Sequence, residues 1–210
     1  MSLGDETSLK SIKELTSYIS RGITPSYSEN KGVIVINQRC IRNHSIDYEN
    51  ARLTDPNKKK IPEVKYLKKY DVLINSTGVG ILGRAAQIKE ISEPTTVDSH
   101  VTILRPNEYT DNIYFGYAVQ MLEKNIENLA EGSTGQTELS RARLEDEIFI
   151  NCLPIKSQKK IGLILSNIDK KIELNNQINK KLFFLFSKTK PFHFFLNCLI
   201  FFIKILLGMF

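Results

Sequence analysis

From Pro154 to Leu182 the chain reads PIKSQKKIGLILSNIDKKIELNNQINKKL, and this stretch constrains the architecture more than any other. It opens with a proline, which suits the first turn of a helix because its missing N–H would have no partner there. Apolar residues then recur at Ile161, Leu165, Ile168 and Ile172, at spacings of four, three and four. That is the rhythm of a coiled-coil seam. The next seam positions hold Asn175 and Asn179, and Leu182 returns the pattern to apolar. Asparagine in an apolar seam lowers stability but fixes register and the number of helices. The spacing predicts a helix over residues 156–186 that pairs with a specific second helix. Residues 1–155 must then supply a separate folded module.

The chain of 210 residues has room for one core-forming domain and an appendage. Its formal net charge of +6 favours acidic partners, nucleic acid foremost. Cys40, Cys152 and Cys198 are widely separated, as are His44, His100 and His193. Neither set has metal-ligand spacing, and an odd cysteine count does not suit a disulfide framework, so reduced thiols in the cytoplasm and no metal are expected. The polar, acidic MSLGDETSLK start is not expected to be a signal peptide.

Along the module, Leu9, Ile12, Leu15 and Ile19 share one helical face, so Ser8–Ser20 is expected to be helical. Arg21–Ser26 is turn-rich. Gly32–Ile36, Asp71–Ile74 and His100–Leu104 read as strands, the last stopped by Arg105-Pro106. Asn112–Leu129 carries helical apolar markers, Glu131–Gln136 is a small-residue loop, and Ile148–Pro154 is extended. Strands and helices without regular βαβ spacing predict an α+β domain. Residues 187–210 change character abruptly to phenylalanine, leucine and isoleucine. Phe192–Phe210 is about long enough to span a bilayer, interrupted by Asn197 and Lys204. A reading-frame shift in AT-rich coding DNA gives the same composition and is the favoured account; a membrane anchor is the alternative.

No catalytic constellation emerges. Gly78, Gly80 and Gly83 fit G-x-G-x-x-G after a strand, and Asp98 follows about twenty residues on. A dinucleotide site would use that pattern. However, Asp98 precedes a strand instead of closing one, and Arg84–Glu93 is short for a crossover helix, so a glycine-rich hairpin is favoured. Arg21, Gln38, Arg39, Arg42, Arg84, His100 and Gln136 form a group of cationic and polar loop residues. Arginine can make two bonds to guanine O6 and N7, and glutamine can do the same to adenine N6 and N7.

Together these segments resemble one half of the specificity subunit of a type I restriction-modification system. Arg21-Gly22-Ile23-Thr24-Pro25-Ser26 with Ile36-Asn37-Gln38-Arg39-Cys40-Ile41-Arg42 resembles the opening of a target recognition domain. Tyr70–Gly78 with Gly80 and Gly83 resembles its central turn, and Val97–Val101 with Arg105-Pro106 the strand after it. Gly132-Ser133-Thr134-Gly135-Gln136 resembles the loop before the linker. Pro154, Gln158, Ile161, Asp169, Ile172, Asn175, Asn179 and Leu182 fit the spacer helix. The resemblance implies a non-catalytic subunit whose recognition domain reads half of a split site in double-stranded DNA. It implies DNA contacts from Arg21, Gly22, Thr24, Ser26, Gln38, Arg39, Arg42, Thr77, Gly78, Gly80, Arg84, His100, Thr134, Gly135 and Gln136. It also implies a helix that docks modification subunits, which bind S-adenosylmethionine and methylate adenine, with restriction subunits joining to cleave. Only one recognition domain is present, so the chain is expected to pair with a copy of itself or a second half, or to be a silent cassette. The hydrophobic tail departs from the polar helix the family would continue with.

Overall fold

Val72, Leu73, Ile74 and Asn75 show no polar and apolar alternation. The computed structural model, which describes residues 7–132 and 137–187, gives the reason. All four are buried, because their sheet has core on both faces. Val72 and Ile74 join Leu104, Ala85, Phe115 and Val119 in one cluster. Leu73 faces the opposite way and joins Ala86, Val101, Ile103, Ile36 and Val97 in another. The period-two geometry of a strand sends successive side chains to opposite faces, so a strand between two cores reads as a continuous apolar run.

In chain order the strands are β1 (Ser8–Ser11), β2 (Thr16–Arg21), β3 (Tyr27–Ser28), β4 (Val33–Ile36), β5 (Ile41–Arg42), β6 (Ser45–Ile46), β7 (Arg52–Thr54), β8 (Val72–Asn75), β9 (Ala85–Gln87), β10 (Thr95–Val97), β11 (Val101–Pro106), β12 (Ala130–Glu131), β13 (Glu138–Leu139) and β14 (Phe149–Cys152). The α-helices are α1 (Ile12–Leu15), α2 (Asn112–Met121), α3 (Glu123–Glu127), α4 (Arg141–Glu147) and α5 (Ile155–Ser187). The dividing sheet is antiparallel throughout, in the order β2-β11-β8-β9. A second four-stranded sheet runs β10-β4-β7-β3, with β10 parallel to β4 and the other pairs antiparallel. The domain is α+β, as expected, and a long C-terminal helix follows it.

Three local expectations are corrected. Ser8–Ser20 is not one helix. Its backbone bonds go to β14 and β11 as the strands β1 and β2, with only the single turn of α1 between them. Ser11 and Glu14 form a reciprocal capping box that starts that turn. Ile12 and Leu15 are fully buried, whereas Leu9 is exposed, so the helical stripe was partly coincidental. Asn112–Leu129 breaks at Leu122 into α2 and α3. The break places the Glu123 carboxylate where it accepts the Ala85 N–H at 2.6 Å. Arg105-Pro106 does not stop β11 either: the strand continues through both residues with a register shift between them. The shifted ladder accommodates the missing proline N–H.

The chain divides into two units, Met1–Leu163 and Ile164–Phe210. In the first, Gln158 is almost completely buried and seats the start of α5. Its Oε1 accepts from the Thr110 hydroxyl at 3.0 Å and the Asp111 N–H at 2.8 Å, while its Nε2 donates to Leu153 O at 2.7 Å. In the second, Ile168, Ile172 and Leu182 are exposed, as are Asn175 and Asn179. Of the remaining seam positions, Ile161 and Leu165 are half-buried. Among the described residues no helix is long and apolar enough to cross a membrane. The tail from residue 188 onward lies outside the described residues.

Candidate nucleic-acid interface

Strand register brings together loops that are far apart in sequence. Asn75 at the end of β8 lies opposite Val101 at the start of β11, and Thr102 lies opposite Arg21 at the end of β2. In the second sheet Ile36, at the end of β4, lies beside Val97, at the end of β10. The segments after β2, β4 and β8 therefore gather around the β10–β11 turn. Backbone bonds weld them: Ser76 N–H to His100 O at 2.8 Å, Gly22 N–H to Val101 O at 3.0 Å and Ile23 N–H to Val97 O at 2.9 Å. Asn75, fully buried, donates its amide to Gln38 O at 3.1 Å and to Ile81 O at 3.2 Å, tying the post-β4 loop to the glycine-rich turn.

That turn joins antiparallel neighbours β8 and β9. It is the hairpin reading that holds, and the dinucleotide-site alternative is corrected, because that site needs a strand leading into a helix of a parallel crossover. The turn runs through positive φ at Gly78 (104°), Gly80 (72°) and Gly83 (86°), a region that glycine enters without a Cβ clash.

Side-chain chemistry is concentrated at this end of the domain. Thr77 Oγ1 donates to Gln38 Oε1 at 3.1 Å and lies 2.9 Å from His100 Nδ1. Arg42 and Arg84 line one cavity of about 290 Å³ with Asn43, His44 and Glu123. Arg84 Nη2 donates to Gly80 O at 3.1 Å, and Arg42 Nε donates to Arg39 O at 3.2 Å. The Arg39 side chain is exposed.

The other expected residues are placed differently. Arg21 is engaged, donating to the Glu138 carboxylate and to Leu139 O at 2.8 Å. Ser26 bonds to Thr54 at the end of β7 and to Asp55 just beyond it. Thr24 is exposed in the same segment. Gly22 is packed under Val97 and Asp98. Thr134, Gly135 and Gln136 lie outside the described residues, although Glu138 just beyond them bridges to Thr77.

Three participants escaped the sequence reading. His44 and Asn43 both have positive φ at the tip of the β5–β6 hairpin, and His44 Nδ1 lies 3.2 Å from Glu123 Oε1. Asparagine between two short runs is a hairpin-turn signal that was available. Lys65 donates to Ser20 Oγ at 2.6 Å and also to Arg21 O, holding the exit from β2. Burial lowers the Lys65 pKa from its ordinary value. No local motif marks a lysine for that task.

Asp98 is the buried acid of the site. Burial raises its carboxyl above the ordinary range, partly offset by the His100 N–H it accepts at 2.9 Å and by the His100 ring. A carboxyl with a raised native pKa favours the fold most at low pH. That contribution is lost as pH rises through the raised value. Asp98→Asn keeps an oxygen for the His100 N–H but carries no charge. It is expected to raise the melting temperature at neutral pH, with the gain shrinking towards acid. Melting curves across pH check this, and a gain that grows on acidification would refute it.

The fold is shared with solved specificity subunits. The S subunit of a type I restriction-modification system from M. genitalium matches with TM-score 0.59 and 17% identity, over 91% of this chain and 49% of that one. The HsdS subunit from Thermoanaerobacter tengcongensis matches with TM-score 0.59 and 15% identity, over 92% and 42%. A chain from a structure described as the basis of complex assembly and conformational transition of the type I R-M system matches with TM-score 0.61 and 15% identity, over 87% and 43%. This chain thus spans a little under half the length of these relatives. Residues 5–183 match the type I restriction modification DNA specificity domain family. The chain belongs to that family.

Proposed function

We propose that this chain is a DNA-reading half of a type I restriction-modification specificity subunit. It recognises about half of a bipartite site in double-stranded DNA and leaves catalysis to its partners. The observation that carries this reading is the convergence of the post-β2, post-β4 and post-β8 loops on the β10–β11 turn. It gathers exposed Arg39 and Arg42, half-buried Arg84 and polar side chains at one end of the domain of a chain that belongs to this family. Arg39, Arg42 and Arg84 supply charge and donors; Gln38, Thr77 and His100 supply neutral polar groups. Gly78 and Gly80 let backbone approach the duplex closely. Arg21 and Gly22 act by holding the loops in place. Thr24, Ser26, Thr134, Gly135 and Gln136 complete the contact set proposed for the family pattern.

The helix of residues 156–186 is the assembly element. It pairs with the equivalent helix of a second half, a copy of this chain or another one, through Ile161, Leu165, Ile168, Ile172 and Leu182. Modification subunits carrying S-adenosylmethionine dock around the pair, and restriction subunits join them in the cytoplasm. Asn175 and Asn179 fix the register. Replacing both with leucine is expected to change the oligomeric state or raise the melting temperature without restoring a single register. An unchanged oligomer together with an unchanged melting curve in sedimentation and thermal unfolding would remove that role.

Co-expression with the modification subunit of the same genome, followed by modified-base sequencing of host DNA, tests the function. New methyladenine at a split motif is expected, and a palindromic motif marks self-pairing. Absence of methylation, with the modification subunit active beside a full-length specificity subunit, refutes it and leaves the silent-cassette reading.

A further inference from the structure

Gln38, Thr77 and His100 are joined in a way that restricts what they can present outward. A threonine hydroxyl carries one hydrogen. Gln38 Oε1 can only accept, so the Thr77 hydrogen goes to Gln38, 3.1 Å away. Thr77 Oγ1 can then only accept from His100 Nδ1 at 2.9 Å, which must carry the ring proton. In the neutral ring this leaves Nε2 as an acceptor. Gln38 keeps its NH2 as the outward donor. Turning the Gln38 amide over, so that its NH2 donates to Thr77 Oγ1 and the Thr77 hydrogen goes to His100 Nδ1, exchanges the two roles together: the ring Nε2 becomes a donor and the outward Gln38 oxygen an acceptor. In either arrangement one group donates and the other accepts.

The relay is anchored at its two ends, Gln38 and His100. Asn75 holds the Gln38 carbonyl at 3.1 Å, the Ser76 N–H holds the His100 carbonyl at 2.8 Å, and Asp98 holds the His100 N–H at 2.9 Å. His100 is exposed, and Gln38 and Thr77 are half-buried, so the unit is reachable from solvent.

Among purines, adenine offers an acceptor (N7) and a donor (N6) on its major-groove edge, whereas guanine offers two acceptors (N7 and O6). We propose that Gln38, Thr77 and His100 form one base-reading unit that selects adenine over guanine at one position of the target, with Thr77 as the positioning residue that couples the other two. The proposal rests on the DNA-reading role above.

The test uses the full chain co-expressed with its modification subunit, with motif positions read by modified-base sequencing. Thr77→Val removes the hydroxyl at nearly constant shape and uncouples Gln38 from His100. One adenine of the wild-type motif is expected to relax to either purine, its discrimination falling about tenfold or more, while the other positions keep their preference. Thr77→Ser, which retains the hydroxyl, restores the selective motif. His100→Ala alters an exposed side chain and is expected to relax the same position, which keeps the test decisive if the valine variant folds poorly. A wild-type motif that Thr77→Val and His100→Ala leave unchanged, or weaken equally at every position, overturns the unit alone. No wild-type methylation overturns the DNA-reading role and the unit with it.

Discussion

Arg105→Ala is expected to destabilise the domain by about 3–5 kcal/mol, the cost of leaving a buried charge without its partner. The Asp71 side chain has no exposed surface, and that of Arg105 is 15% exposed. Arg105 Nε donates to Asp71 Oδ1 at 2.8 Å and Nη2 to Oδ2 at 2.7 Å, a two-pronged pair that a lysine cannot reproduce. Nη2 also reaches Tyr66 O at 3.0 Å, and the guanidinium lies 5.3 Å from the centre of the Tyr18 ring. Its hydrogen bonds to Asp71 raise the Arg105 pKa beyond its ordinary value, so the guanidinium stays charged. Without the arginine, the Asp71 carboxylate keeps the Lys68 N–H at 2.8 Å but loses both guanidinium bonds. The double variant Asp71→Ala with Arg105→Ala should lose less than the sum of the single losses, because neither group is then stranded. Urea unfolding of the four proteins measures this, and a single-variant loss below about 1 kcal/mol would contradict it. The pair sits where β8 begins and β11 ends, away from the gathered loops. The variants should therefore keep the sequence preference of whatever folded fraction remains.

How much of this could be read in advance differs from element to element, for physical reasons. Asp71–Ile74 and His100–Leu104 were legible as strands, and β8 and β11 fall on them, because a sheet between two cores favours apolar runs. Ser8–Ser20 was misread because its spacing suits a helix, while the pairing that decides its state comes from β14 and β11, more than eighty residues away in each case. The two-residue strands β3, β5, β6, β12 and β13 are too short to carry a period. In the site, the glycine-rich turn was legible because positive φ selects glycine. The fate of Arg21 was not, since its carboxylate partner Glu138 is 117 residues further on. Likewise, nothing local in the sequence joins Gln38 to Thr77, or Thr77 to His100. The register of β8 against β11, and the Asn75 amide beneath Gln38, create those contacts.

Gly22 is where the first sheet hands the chain to the second. Its N–H bonds to Val101 O, the next N–H bonds to Val97 O, and Lys65 reaches its carbonyl at 3.4 Å. A Cβ at this position would stand 2.0 Å from Val97 O and 2.3 Å from Asp98 O. Both are backbone atoms at the end of β10, so no side-chain rotation relieves the clash. Even Gly22→Ala must push the chain away from the turn that carries Asp98 and His100, at a cost of about 1–3 kcal/mol for a forced insertion into packed structure. Gly22→Val should cost more. Because the displaced turn holds His100 against Thr77, sequence-specific binding is expected to fall further than the stability loss alone explains, with binding to random duplex less affected. Unfolding curves measured beside specific and random DNA titrations separate the two effects. Gly22→Ala within about 0.5 kcal/mol of wild type, the range of an ordinary surface change, would mean that the β2 exit does not set the position of the β10–β11 turn.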